Sequence, residues 1–305
     1  MKRVIALLFV LTSMIFLTSS CSTQKISLPS NNDSISTDPN TILNYWDVTQ
    51  YGDWEGRNSM FYTLNSSDGK LIVIDGGWPH EADIVKEAIL SHGGIIDLWI
   101  LTHPHLDHIG AFMELYSDTD IQINKVCTVK MAPVELAFER APWDDMGPYE
   151  NFLTIDDSDY QYLYVGDSLQ IGNLDIQILN AYDDYVAELS NDLLNDGSLV
   201  FKVSVNDQSM LFCADVGNAM SEFLITKYGE ELQADYLQMP HHGFGGLSHD
   251  FYRLVNPQVA FFDAPEFLIE DTTGNYNTPE NVKFMERLGC KIFSFKTTPN
   301  TIRLQ

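Results

Sequence analysis

Basic residues are scarce in this chain. Lys and Arg number 17 against 43 Asp and Glu in 305 residues, a formal net charge of −26. No run of Lys or Arg is longer than two, so a polyanion such as DNA finds no basic track and is repelled over most of the surface. Acidity of this degree also serves simply to keep a secreted protein soluble. Cysteine is sparse too, at positions 21, 127, 213 and 290. Beyond Cys21 the remaining odd number, each in an apolar strand-like run, points to buried free thiols rather than a disulfide framework. No repeat at a solenoid period is visible, which excludes a stacked array. Histidine numbers only eight, yet three lie together at His103, His105 and His108, and none falls between His108 and His241.

The apolar fraction of 45% is enough to bury a sizeable core. Lys2-Arg3 followed by the almost wholly apolar Val4 to Leu17 reads as a signal peptide over residues 1–20, too short for a comfortable membrane span. It closes on Leu17-Thr18-Ser19-Ser20-Cys21, which resembles the lipobox of bacterial lipoproteins, although Leu17 stands four rather than three places before Cys21. A lipid on Cys21 would anchor the protein to the outer face of a bacterial membrane; the rival reading is ordinary secretion by cleavage near the same point. Residues 21–40, rich in Ser, Asn, Asp and Thr, cannot bury enough apolar surface to fold and read as a tether. Residues 41–305 read as one domain, because the candidate site residues spread from Asp75 to His241.

Those candidates follow strand-like runs. After Ile95 to Leu101 comes Thr102-His103-Pro104-His105-Leu106-Asp107-His108, followed by Gly110. On an extended loop residues two apart project the same way, so His103 and His105 can grip one ion while Asp107 and His108 turn to a second. Asp215-Val216-Gly217 closes the run Ser209 to Ala214, and a carboxylate there can bridge two cations. Cys213, two residues earlier, would project from the same strand face and reads as structural. Pro240-His241-His242-Gly243 follows Tyr236 to Met239, and Asp75-Gly76-Gly77 follows Lys70 to Ile74. Singly, each is weak; Asp-Gly-Gly after a strand is most often a turn.

Together and in this order they resemble the metallo-β-lactamase superfamily, from about Tyr45 to the C-terminus. Gly52-Asp53, Gly166-Asp167 before Leu169 to Gly172, and Ser198-Leu199-Val200 add a closer likeness to the hydrolase domain of competence-type DNA-uptake channel proteins and their secreted relatives. Surface phosphorylcholine esterases look similar around the first metal motif. The resemblance implies an α/β fold, specifically a four-layer αββα sandwich with two divalent metal ions, zinc or manganese, at the sheet edges. It makes His103 and His105 ligands of the first ion and Asp107 and His108 ligands of the second. Asp215 would bridge, and His241 would complete the second ion, with His242 as the alternative if the register differs by one. Asp75 would orient the His loop. Many members supply a further His to the first ion; here the matching region offers Asn195, taken as a substrate-binding residue. Asn277-Thr278-Pro279 stands where relatives often carry a His.

The implied chemistry is hydrolysis by a water activated between two ions, with Asp107 holding it and accepting its proton, and the unpaired member of the His241/His242 couple, taken as His242, as acid for the leaving group. The substrate expected is a phosphodiester, small or polymeric, with nucleic acid disfavoured by the acidic surface. Carbon-ester, lactone or lactam hydrolysis, and a surface binding lipoprotein that has lost turnover, are the alternatives. The aromatic and acidic segment Met131 to Val165 shows no clear periodicity and suits either a lid over the metals or an inert flap. For the anchor, Cys21→Ser should abolish membrane association in a fractionated cell; unchanged partitioning would exclude lipidation.

Overall fold

The computed structural model describes residues 44–305, so the expected signal peptide (1–20), Cys21 and the tether (21–40) lie outside the described residues. Within it, short apolar runs such as Leu71–Asp75 and Leu98–Leu101 are buried along their whole length, as strands must be when a helix layer covers one face and a second sheet the other. Two seven-stranded sheets result. The first runs Asn300–Leu304, Trp46–Gln50, Phe61–Ser66, Leu71–Asp75, Leu98–Leu101, Val126–Val129, Gln161–Leu163. The second runs Lys291–Phe293, Val259–Phe261, Tyr236–Gln238, Gln208–Phe212, Val200–Val205, Leu174–Asn180, Ser168–Ile171.

Each sheet changes from antiparallel to parallel pairing at one strand. In the first it is Leu71–Asp75, antiparallel to Phe61–Ser66 and parallel to Leu98–Leu101. In the second it is Gln208–Phe212, antiparallel to Val200–Val205 and parallel to Tyr236–Gln238. The carboxyl ends of these two strands lead to Asp75 and, three residues on, to Asp215.

Side chains alternate across each strand. Ile72, Ile74, Leu98 and Ile100 join Phe201, Phe212 and Phe261 in the layer between the sheets. Leu71, Val73, Trp99 and Leu101 instead meet Val85, Ile89 and Phe112 of the helices Ala82–Ser91 and Leu106–Leu115. On the second sheet Leu211, Leu237 and Ala260 meet Leu224, Phe251 and Phe284 of the helices Ser221–Tyr228, His249–Val255 and Thr278–Arg287. The order helix, sheet, sheet, helix is the αββα sandwich.

Several local expectations are corrected. The His motif is not one extended loop: a helix begins at Leu106, so Asp107 and His108 occupy its first turn, where the helix dipole favours a carboxylate. Residues 131–165 carry two helices, Val134–Arg140 and Gly147–Phe152, and the strand Gln161–Leu163; their turns are too short to show a period. Asn277-Thr278-Pro279, where relatives often carry a His, opens the helix Thr278–Arg287, with Thr278 buried. Cys213 does not share a face with Asp215. The chain turns at Ala214, whose φ is 45°, leaving Cys213 among the outer helices. Cys127, Cys213 and Cys290 are free and buried.

One polar group interrupts the layer between the sheets. The buried Asp263 carboxylate accepts hydrogen bonds from Tyr62 Oη (2.6 Å), Gln50 Nε2 (2.7 Å) and Gln238 Nε2 (2.9 Å), joining strands of both sheets. Burial pushes its carboxyl up to about 6, against the pull of those donors. A carboxyl raised above its unfolded value of about 3.9 contributes stability that is complete below that value and lost as pH rises through about 6. The stability of the wild type minus that of Asp263→Asn, from urea unfolding, should therefore fall by on the order of 2–3 kcal/mol between about pH 4 and 7. A flat difference curve would show that Asp263 does not titrate in this window.

Candidate metal centre

Asp75 ends the switch strand of the first sheet with φ 52°. Its Oδ1 accepts from Thr102 N (2.8 Å), and its Oδ2 from Thr102 Oγ1 and from His108 Nδ1 (both 2.7 Å). One buried carboxylate thus fixes where the His loop starts and how His108 is rotated, presenting Nε2. Gly110 is needed one turn on: a Cβ there would lie 2.4 Å from Pro79 Cδ.

Four of the six non-glycine residues with positive φ among the described residues border this place: Asp75, Ala214, His241 and His242. Backbone strain of this kind persists where the surrounding structure fixes it, and clusters at functional sites. At Pro240–Gly243 the consecutive left-handed residues His241 (φ 50°) and His242 (φ 53°) splay their rings to centroids 6.2 Å apart. His242 goes inward; its Nδ1 donates to the Asp263 carbonyl (3.1 Å), leaving Nε2 as the free lone pair.

The imidazoles converge on Asp215. Its Oδ1 lies 3.3 Å from His108 Nε2 and its Oδ2 lies 3.2 Å from His242 Nε2. His242 Nε2 is also 3.2 Å from Asp107 Oδ2. His241 Nε2 is farther, 3.7 Å from Asp215 Oδ2, and its ring is partly open to the cleft. On the other side His103 Nε2 and His105 Nδ1 approach to 2.9 Å. Ligand atoms of His103, His108 and Asp215 fall within 4.8 Å of one another, as do those of Asp107, His108 and His242.

Burial and its neighbours set the charges. Desolvation and the adjacent imidazoles hold His103 well below its ordinary pKa, in the neutral form a ligand requires. Burial opposes charge on His242 too, but Asp215 and Asp107 outweigh it and push that imidazole up to about 10. Burial likewise raises Asp215, and the surrounding imidazoles reverse this, holding its carboxyl well below the usual range. A proton and a divalent ion compete for the same nitrogens here.

The residues fit two ions. His108 Nε2, His242 Nε2 and Asp215 Oδ1 are buried without a hydrogen-bond partner, whereas buried polar atoms are ordinarily paired. Imidazole and carboxylate donors together suit zinc or manganese. Asn195, in the short helix Leu193–Asp196, donates from Nδ2 to Asp192 Oδ2 (2.9 Å); its Oδ1 is unpartnered, and the side chain lines the same cleft.

Two participants escaped sequence reading. Asn58 donates to Asp107 Oδ2 (2.7 Å) and Asp144 meets His105 Nε2 (3.0 Å). Neither carries a local pattern, and both come from segments remote in sequence. A further group, Asp53, His80 and Glu81, also lies close enough for a cation. Asp53, however, already accepts from Glu55 N, Arg57 N and His80 Nε2, all at 2.9 Å, and so shapes the loop that carries Asn58.

The cleft above the centre measures about 380 Å³ and is walled by Trp78, Asp144, Asp145, Pro148 and Phe244 as well as by the ligand residues.

Comparison with known proteins agrees with this architecture. The chain is 26% identical over 207 residues to the uncharacterized protein YcaI of Escherichia coli K12, a match covering 66% of this chain and 23% of that protein. The chain thus spans about a quarter of that relative's length. Among solved structures, the metallo-beta-lactamase fold protein YhfI of Bacillus subtilis superposes with a TM-score of 0.50 at 11% identity, covering 85% of this chain and 99% of the other. CmlA, a diiron beta-hydroxylase of Streptomyces venezuelae, gives 0.51 at 13% identity, covering 85% and 54%. At these identities the two structures speak for the fold alone. The family description "Metallo-beta-lactamase superfamily" matches residues 52–253, and with the paired ligand groups in place the chain belongs to the metallo-beta-lactamase superfamily of metal-dependent hydrolases.

Proposed function

We propose that this protein is a two-metal phosphodiesterase whose substrate carries a small uncharged or cationic alcohol, as in cell-surface phosphodiesters. The observation that carries this reading is Asp215, whose two oxygens face different imidazoles and so stand between two ligand groups. His103 and His105 would hold the first ion; Asp107, His108 and His242 the second; Asp215 would bridge. Of the two registers open in the sequence, the shorter distances favour His242 as ligand, which leaves His241 as the group free to act on the leaving oxygen. Two ions, when bound there, supply Lewis acidity, lower the pKa of a shared water and clamp both oxygens of an in-line displacement.

The chain's own groups do the rest. Asn58 fixes Asp107 by one oxygen, so that the carboxylate is oriented to hold the attacking water and take its proton. Asn195 Oδ1, buried on the wall without a partner, is suited to a substrate hydroxyl or ammonium. Trp78 and Phe244 beside Asp144 and Asp145 form a rim that suits a cation or a neutral polar group. A nuclease, the form suggested by the likeness to competence-type domains, meets the same acids and a chain charge of −26. A lipid on Cys21 would place the enzyme on an extracytoplasmic membrane face; among the described residues no helix is long and apolar enough to cross a membrane.

Two measurements decide this reading. The chelated Ser22–Gln305 form should regain hydrolysis of a bis-aryl phosphate on adding zinc or manganese, and should cleave an aryl phosphorylcholine faster than the bis-aryl diester. No turnover with either metal would move the assignment to carbon-ester or lactone and lactam hydrolysis, or to a binding protein. His242→Ala should lose one of two bound ions together with activity, whereas His241→Ala should keep both ions and lose roughly 10²–10⁴-fold in turnover. Loss of an ion from His241→Ala but not from His242→Ala would reverse the assignment.

A further inference from the structure

The two expected ligands of the first ion are held differently. His103 is buried, with Nδ1 beside Thr102 Oγ1 at 3.2 Å, so its ring is set by the residue that Asp75 already fixes. His105 has no such neighbour on its own loop. Its Nδ1 faces His103 Nε2 at 2.9 Å, and its Nε2 points the other way, to Asp144 Oδ2 at 3.0 Å. Asp144 lies 39 residues on, in the turn between the helices Val134–Arg140 and Gly147–Phe152.

That turn is braced. Asp144 N donates to Ala141 O (3.0 Å), Asp145 N donates to the other Asp144 oxygen, Oδ1 (2.9 Å), and Gly147 N donates to Asp145 Oδ1 (2.9 Å). Arg140 reaches the carbonyls of Ala187 and Ser190, and Tyr149 Oη donates to the Ala132 carbonyl. The Asp144 side chain is only 18% exposed and its carboxylate cannot rotate away without breaking its own backbone contact.

We propose that Asp144 is the positioning residue for the first metal ion. Its carboxylate receives Nε2–H of His105, which fixes the tautomer with the lone pair on Nδ1 and turns that lone pair towards His103 Nε2. Carboxylate–histidine pairing of this kind raises ligand basicity and orients the ring, and its loss typically costs about 10–100-fold in metal affinity. The 131–165 segment therefore serves neither as a loose flap nor only as a cleft wall; it completes the first ion's support from outside the His motif. The inference rests on the two-ion reading above and extends it to a rim residue that would act on the first ion through His105 rather than as a ligand.

The test is a cobalt and zinc titration of the chelated protein, following stoichiometry by elemental analysis and the visible cobalt spectrum, with the ¹⁵N-imidazole N–H signals recorded in the zinc-loaded form. In the wild type two ions should bind, and one exchange-protected N–H should belong to His105. In Asp144→Ala one ion should weaken by about 10–100-fold, with the second unchanged and the His105 signal lost. Asp144→Asn, which keeps an acceptor oxygen without charge, should fall between, and circular dichroism of each variant establishes that it folds. Wild-type binding of two ions with both variants unaltered would overturn the role of Asp144. Failure of the wild type to bind two ions would instead overturn the two-metal reading.

Discussion

The structure is organised around a buried carboxylate that belongs to neither sheet alone. Asp215 follows the switch strand of the second sheet and meets His108, in the helix after the first sheet's Leu98–Leu101, and His242, in the turn after the second sheet's Tyr236–Gln238. Removing such a charge from water is expensive unless opposite charge surrounds it. Every nearby feature answers that requirement. Asp75 orients His108, the Asp263 carbonyl orients His242, and the left-handed backbone at His241 and His242 splays the two rings so that His242 turns inward.

The same constraint links the interior of the sandwich to its chemistry. Asp263 joins Gln50, Tyr62 and Gln238 through its carboxylate and His242 through its carbonyl, so the polar tie between the sheets and the orientation of the inward imidazole share a residue. On the other side Asp144 ties His105 to a helical turn. The centre is thus held from both sheets and from one crossover segment, a degree of support that lets ligand atoms keep their geometry without relying on loop rigidity.

On the proposed reading, charge would govern selectivity. Two divalent ions would offset negative charge only locally, while the rim acids Asp144 and Asp145 and the overall excess of carboxylates would persist around them. A long polyanion would meet repulsion beyond the centre, whereas the compact diester with a cationic or neutral alcohol proposed as substrate would present its single negative charge where the ions concentrate positive charge. For the proposed phosphodiesterase, the chain's acidity would then act as a filter on substrate size and charge.

Much of this was legible in the amino-acid order. Strand-ending Asp75, the His103 to His108 motif, Asp215 and the His241-His242 pair could be recognised because each lies at the end of a short apolar run, and strand ends are where a sandwich collects its chemistry. The same local pattern read the metal motif as an extended loop, although Leu106 to His108 form the first turn of a helix, and it showed no period over the short helices of residues 131–165. Asn58 and Asp144 could not be found, because a hydrogen bond between residues 49 or 39 apart leaves no periodicity. Sequence by itself determined which residue types stand at the strand ends, through hydrophobic patterning that acts over a few neighbours. Only the tertiary structure decided which ring of His241 and His242 turns inward and which remote side chains brace the ligands, because those outcomes depend on backbone turns and on contacts between segments that the chain order does not encode.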